Sequence, residues 1–129
     1  MKKKIFIICV VRIATPRDIK VLEDYVSMLE ADGHKVHLPH RNTNQKGTSL
    51  EINMQNMNAI KECDEVHVFY NTKSFGGHFD IGVAFALGKK MKVIEFMIDG
   101  ELKVAEDFKS EGKSYAKFLV EYETITSNF

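Results

Sequence analysis

The chain has 129 residues, enough for one hydrophobic core and too few for two. Lysine plus arginine balances aspartate plus glutamate at 18 each. That leaves no basic excess of the kind carried by nucleic-acid or membrane-surface proteins, and an apolar fraction of 44% excludes wholesale disorder.

Ile5 to Val11 is a continuous apolar run, as expected of a first strand buried on both faces of a parallel sheet. The lysines before it give the start a superficial likeness to a signal peptide. Arg12 interrupts the run, however, and no small-residue cleavage site follows. No segment approaches the length needed to span a bilayer. The expectation is a soluble cytoplasmic protein, with Cys9 and Cys63 as buried free thiols in a reducing compartment.

Thr15-Pro16-Arg17-Asp18 reads as a helix start, with Thr15 as N-cap, Pro16 at the first helical position and Asp18 in the first turn. Ile19, Leu22, Val26 and Leu29 follow at helical spacing, and Gly33 closes the helix. Lys35 to Leu38 is a short second strand, and Pro39 to Gly47 a polar loop. Thr48 or Ser49 caps a second helix whose buried stripe is Ile52, Asn56, Ala59, Ile60 and Cys63.

Val66 to Tyr70 is the third strand, Phe79 to Leu87 the third helix and Met91 to Met97 the fourth strand. The tail from Asp99 is less patterned until Lys113 to Tyr122, an amphipathic helix with Tyr115, Phe118, Leu119 and Tyr122 on one side. Alternating strands and helices imply a single α/β domain. Its core is a doubly wound parallel sheet of the Rossmann or flavodoxin-like kind, with helices on both faces. The expected strand order is 2-1-3-4, with a fifth strand left open.

In such a sheet the loops at the carboxyl ends of the strands share one crevice. They bring together Arg12 and Thr15, then His40, Arg41, Asn44 and Gln45, then Asn71, Lys73, Ser74, His78 and Asp80. Asn56 joins them if its helix leans over the crevice. The set is rich in anion binders and hydrogen-bond donors. It holds no metal cluster, because His37-x-x-His40 lacks a Cys or Asp partner.

Several of these residues have two readings. Asp80 comes three residues after Gly77, where an aspartate in the first turn of a helix is favoured by capping and the helix dipole as well as by chemistry. Gly82 lies inside a helix at a cost of about 1 kcal/mol against alanine, so a sheet or a ligand should approach it closely. Ser74 is either a loop serine or a phosphate ligand. Arg12, directly after a buried strand, suits a phosphate or carboxylate. Asn56 interrupts an apolar stripe, and its amide needs backbone groups or a base edge as partner.

The segments NMNAIKECDEV and SFGGHFDIGVAFALGK, on either side of the third strand, resemble the nucleoside 2-deoxyribosyltransferase family. Its relatives, the deoxynucleoside monophosphate N-glycosidases, are included in that likeness. The first strand followed by Arg12 is similar to a phosphate loop of the glycosidases. LPHRNTNQKG is similar to the base-contacting loop of the transferases. The likeness extends to about residue 97.

The resemblance implies cleavage or transfer of an N-glycosidic bond of a nucleotide or nucleoside by a retaining mechanism. Asp80 falls at the nucleophile, where the family has glutamate, and Asn56 where it usually has an aspartate that handles the leaving base. His78 and His40 are then the substitutes for that proton donor. Ser74 falls where the monophosphate-cleaving members hold phosphate, favouring a nucleotide. Arg12 and the Gly76 and Gly77 amides join Ser74 in holding phosphate or sugar hydroxyls. Asn44, Gln45 and Asn56 read the base, and Thr15, Arg41 and Asn71 are expected as further substrate-binding residues.

No cofactor, metal, nucleic acid or membrane is implied. A homo-oligomer, dimer or larger, is implied, with the final helix and the Thr124 to Phe129 tail at its interface. The alternative is a non-catalytic nucleotide-binding or sensing module using the same crevice. A receiver-like domain is disfavoured, because Arg12 and Asn71 stand where it needs acidic residues.

Overall fold

The computed structural model describes residues 2–110 and 112–129. Its elements in chain order are β1 (Lys4–Ile8), α1 (Pro16–Ala31), β2 (Lys35–His37), α2 (Pro39–Asn42), α3 (Ser49–Glu62), β3 (Glu65–Asn71), α4 (Phe75–Ala86), β4 (Lys90–Ile98), β5 (Glu101–Lys103) and α5 (Tyr115–Thr126). A 3-10 helix, Ala105–Phe108, precedes α5. The sheet runs β2-β1-β3-β4-β5. The expected order 2-1-3-4 holds for the parallel strands, and β5 adds an antiparallel edge.

Alternation along the central strands sorts the core into two layers. Ile5, Ile7 and Phe69 face α1 and pack on Leu22, Val26 and Leu29. Phe6, Ile8, Val66, Val68 and Tyr70 face the other way, onto Ile60 of α3, Ile81 and Ala84 of α4, and Ala116 and Leu119 of α5. Helices therefore cover both faces, and the chain order reverses between β1 and β3. That reversal opens the crevice at the carboxyl ends of these two strands.

Capping fixes where the helices begin. Thr15 and Asp18 form a reciprocal capping box on α1, and Thr48 and Glu51 form another on α3. The first half of β4, which β5 does not reach, has its outer edge closed by side chains of α5. The Met91 N–H donates to Thr126 Oγ1 at 3.2 Å, and the Val93 N–H donates to the Glu123 carboxylate. Edge amides are thereby satisfied without another strand.

Several boundaries differ from expectation. β1 stops at Ile8, where its pairing with β3 ends at Val68, although Cys9 and Val10 stay buried beyond it. The Pro39 to Gly47 loop contains the single helical turn α2, started by Pro39. The final helix is shifted to Tyr115–Thr126 because Ser114 caps it through the Lys117 N–H. The unpatterned tail holds β5, turned by Asp99 at φ 50° and Gly100 at φ 89°. Both cysteines are free and buried. Among the described residues no helix is long and apolar enough to cross a membrane.

Candidate active site

The site is organised by the start of α4. Ser74 is its N-cap, and its Oγ accepts the Gly77 N–H at 3.0 Å. A Cβ on Gly77 would lie 2.8 Å from that oxygen, so glycine is required for the cap to close. The Phe75 and Gly76 amides in the first turn have no acceptor within the helix and point out of its N-terminus.

The helix begins four residues earlier than its apolar pattern suggested, at Phe75 rather than Phe79. The glycine pair therefore lies inside the first turn instead of in a loop, and Asp80 falls in the second turn. No acidic residue occupies the first turn of α4. The capping explanation for Asp80 is removed by this shift, since dipole and capping effects fade beyond that turn.

Asp80 is 7% exposed, and among the described residues its carboxylate has neither a hydrogen bond nor an ion pair. Burial pushes its pKa up to about 7. An unpartnered buried carboxylate is costly in a structural role and typical of a reactive one. It borders a cleft of about 320 Å³, within the range of small-molecule sites.

Six of the twelve residues expected in the site line this cleft: Arg12, Gln45, Asn56, Ser74, Gly76 and Asp80. Arg12 and Lys73 reach its rim as exposed cations that make no ion pair among the described residues. Asn56 is 7% exposed, and its Oδ1 accepts from Thr43 Oγ1 at 2.7 Å. Gln45 is tethered by its Nε2, which donates to the Pro39 carbonyl at 3.0 Å.

The other six do not line it. Thr15 is engaged as the α1 cap, and Arg41 pairs with Glu30 at 3.0 Å on the surface. Asn44 and Asn71 each accept a backbone N–H two residues on, shaping their loops. Gly77 serves the Ser74 cap. His78 contacts the Ser74 carbonyl through Nδ1 at 2.6 Å and the Tyr70 hydroxyl through Nε2 at 2.9 Å. Because a carbonyl only accepts, His78 Nδ1 carries the proton and Nε2 accepts from Tyr70. Both nitrogens of His78 are thus engaged within the protein in this arrangement.

Gly82 also departs from expectation. A Cβ there would meet nothing within 4 Å among the described residues, so the sheet does not approach its backbone. Sequence reasoning missed Cys9, Ile13, Ser49, Ile52, Asn53 and Phe75 as lining residues. Asn53 was recoverable, since it lies three residues before Asn56 and so on the same helix face. The Cys9 thiol is pushed up by burial and secondarily by Asp80 and Asp18, so it stays protonated at neutral pH. Among the described residues no group of three His, Cys, Asp or Glu side chains is placed to hold a metal ion.

Comparison with known proteins points in one direction. The family model described as nucleoside 2-deoxyribosyltransferase matches residues 13–113. The structure of Clostridium botulinum CMP N-glycosidase, BcmB, is similar at 30% identity and a TM-score of 0.58, with 70% of each chain covered. The 2-deoxyribosyltransferase of Bacillus psychrosaccharolyticus shares the fold at 18% identity and a TM-score of 0.60, again over 70% of each chain. A search among curated protein sequences returns no significant match.

Proposed function

The chain belongs to the nucleoside 2-deoxyribosyltransferase family, whose similar members are enzymes, and from that premise we propose that it cleaves or transfers the N-glycosidic bond of a nucleotide, with Asp80 as nucleophile. The observation that carries this reading is the buried, unpartnered Asp80 carboxylate at the wall of the cleft. A carboxylate oxygen attacks the anomeric carbon, the bond to the base nitrogen breaks, and its electron pair leaves with the base. Water or a second base then attacks the same carbon, and the ester electrons return to Asp80. Two inversions give net retention.

A 5′-monophosphate is favoured over a free nucleoside. Arg12, Lys73, Ser74, Phe75 and Gly76 all border the cleft and supply two cations, a hydroxyl and two helix N-terminal amides as donors to an anion. Likeness to a CMP N-glycosidase supports that preference. Gln45, Ser49, Asn53 and Asn56 line the cleft with groups suited to a base. The whole chain is taken as one catalytic domain.

A second copy of the chain is its proposed partner. Leu50, Met54 and Met57 on α3 and Phe75 and Phe79 on α4 leave large apolar side chains exposed beside the cleft. Tyr115, Ile125 and Phe129 of the final helix and tail are also exposed, while Phe118 and Tyr122 are engaged within the chain against Phe85.

Release of free base from ribo- and deoxyribonucleosides and their 5′-monophosphates, with and without an acceptor base, tests this reading. Asp80→Ala should reduce release on the order of a thousandfold or more, while Asp80→Glu keeps a measurable part. Undiminished release by Asp80→Ala would remove the nucleophile. Absence of release by the wild type would leave the non-catalytic binding module.

A further inference from the structure

Asn56 does not sit in the cleft wall with a free choice of orientation. Behind it runs a chain of hydrogen bonds: His37 Nε2 lies 2.8 Å from Thr43 Oγ1, and Thr43 Oγ1 lies 2.7 Å from Asn56 Oδ1. Thr43 is 5% exposed, and the His37 ring stacks on Phe6 with centroids 5.0 Å apart. A threonine hydroxyl has a single proton. Here it goes to the Asn56 carbonyl oxygen, so the same hydroxyl accepts from His37, whose Nε2 must carry the ring proton. The amide oxygen is thereby consumed inside the protein. The Asn56 nitrogen has no partner among the described residues, and Asn56 lines the cleft.

Resting on the nucleotide reading above, we infer that the His37–Thr43 pair fixes Asn56 as a pure hydrogen-bond donor, and that Asn56 selects leaving bases presenting an acceptor to it. The acceptor is a ring nitrogen or a carbonyl oxygen of the base. As the glycosidic bond breaks, the base gains negative charge, and a fixed N–H strengthens its hold on such an acceptor in the transition state. The base then departs stabilised by a hydrogen bond instead of by proton transfer from the protein. Thr43 and His37 are positioning residues, because they act through Asn56. Burial, and secondarily the Arg41 charge, holds the His37 pKa below the ordinary histidine value, which favours the neutral ring, and the hydrogen bond to Thr43 selects its tautomer.

The test uses adenosine and cytidine 5′-monophosphates and their 2′-deoxy forms. Each runs beside analogues that replace one ring nitrogen by C–H or the base carbonyl by thiocarbonyl. In the wild type at least one replacement should lower kcat/KM about tenfold relative to the parent. In Thr43→Val that penalty should shrink to about twofold, because the amide is free to turn, and Thr43→Ser should restore it. A loss of packing alone would slow parent and analogue equally and leave their ratio unchanged. An unchanged ratio in Thr43→Val, or no penalty at any position, overturns the inference while the nucleotide reading stands. If neither parent is cleaved nor bound by calorimetry, the nucleotide reading fails and takes this one with it. Nitrogen-15 NMR of His37 should show Nε2 protonated and Nδ1 bare, and the opposite tautomer would reverse the chain and overturn the assignment.

Discussion

At the residue scale, the site turns on a carboxylate that burial has made reluctant to ionise. With its pKa pushed up to about 7, Asp80 is roughly half protonated at neutral pH. A nucleophile must be ionised, so kcat/KM should rise with pH and reach half its plateau near pH 7. A profile already flat from pH 5 upward would exclude Asp80 from that role. The same shift has a consequence for stability. The folded pKa lies above the unfolded one, so the stability Asp80 contributes is full below about pH 4 and is lost as pH rises through 7. Asp80→Asn should therefore stabilise the fold at pH 8, by as much as ~4 kcal/mol, and bring little at pH 4. Denaturant titrations at the two pH values would measure the difference. Asp80, Ser74 and Arg12 were legible in the sequence because strand order alone delivers them to one crevice. His78 and Arg41 were not, because their hydrogen-bond partners, Tyr70 and Glu30, come from elsewhere in the fold.

At the element scale, α4 shows why local rules misplace a helix start. Two consecutive glycines read as a turn, since glycine is the poorest helix former after proline. The Ser74 cap overrides that preference, and the cap in turn needs Gly77 to have no side chain. Gly82, four positions outside the first turn's constraints, has open space around it. The two glycines should respond oppositely to the same change. Gly77→Ala should destabilise by about 1–2 kcal/mol through loss of the cap. Gly82→Ala should stabilise by up to about 1 kcal/mol. Thermal melts of the pair would decide this, and a destabilising Gly82→Ala would mean that something does approach that backbone. The short β5 was missed for a different reason. Its three residues Glu101–Lys103 are too few to carry a strand pattern and bury no apolar side chain, although the Asp99-Gly100 pair is the usual sequence of a two-residue hairpin turn.

At the scale of the whole molecule, the parallel sheet was readable because its strands are buried apolar runs of the length expected between helices. What surrounds the molecule was less readable, since an exposed apolar residue looks like a core residue in sequence. Phe75 and Phe79 are 89% and 52% exposed on α4, and Leu50, Met54 and Met57 are exposed on α3. Sedimentation velocity of the wild type should show a concentration-dependent dimer or larger assembly, and Phe79→Lys should shift it toward monomer. A wild type that stays monomeric throughout would contradict the proposed self-association. The nucleophile itself is tested most directly by intact-protein mass after rapid acid quench with the best-cleaved 5′-monophosphate. Expected is a fraction of the protein heavier by one sugar phosphate, with the added mass mapping to the peptide that contains Asp80 and absent from Asp80→Ala. Turnover with no adduct at any quench time, or an adduct on another residue, would contradict a covalent role for Asp80.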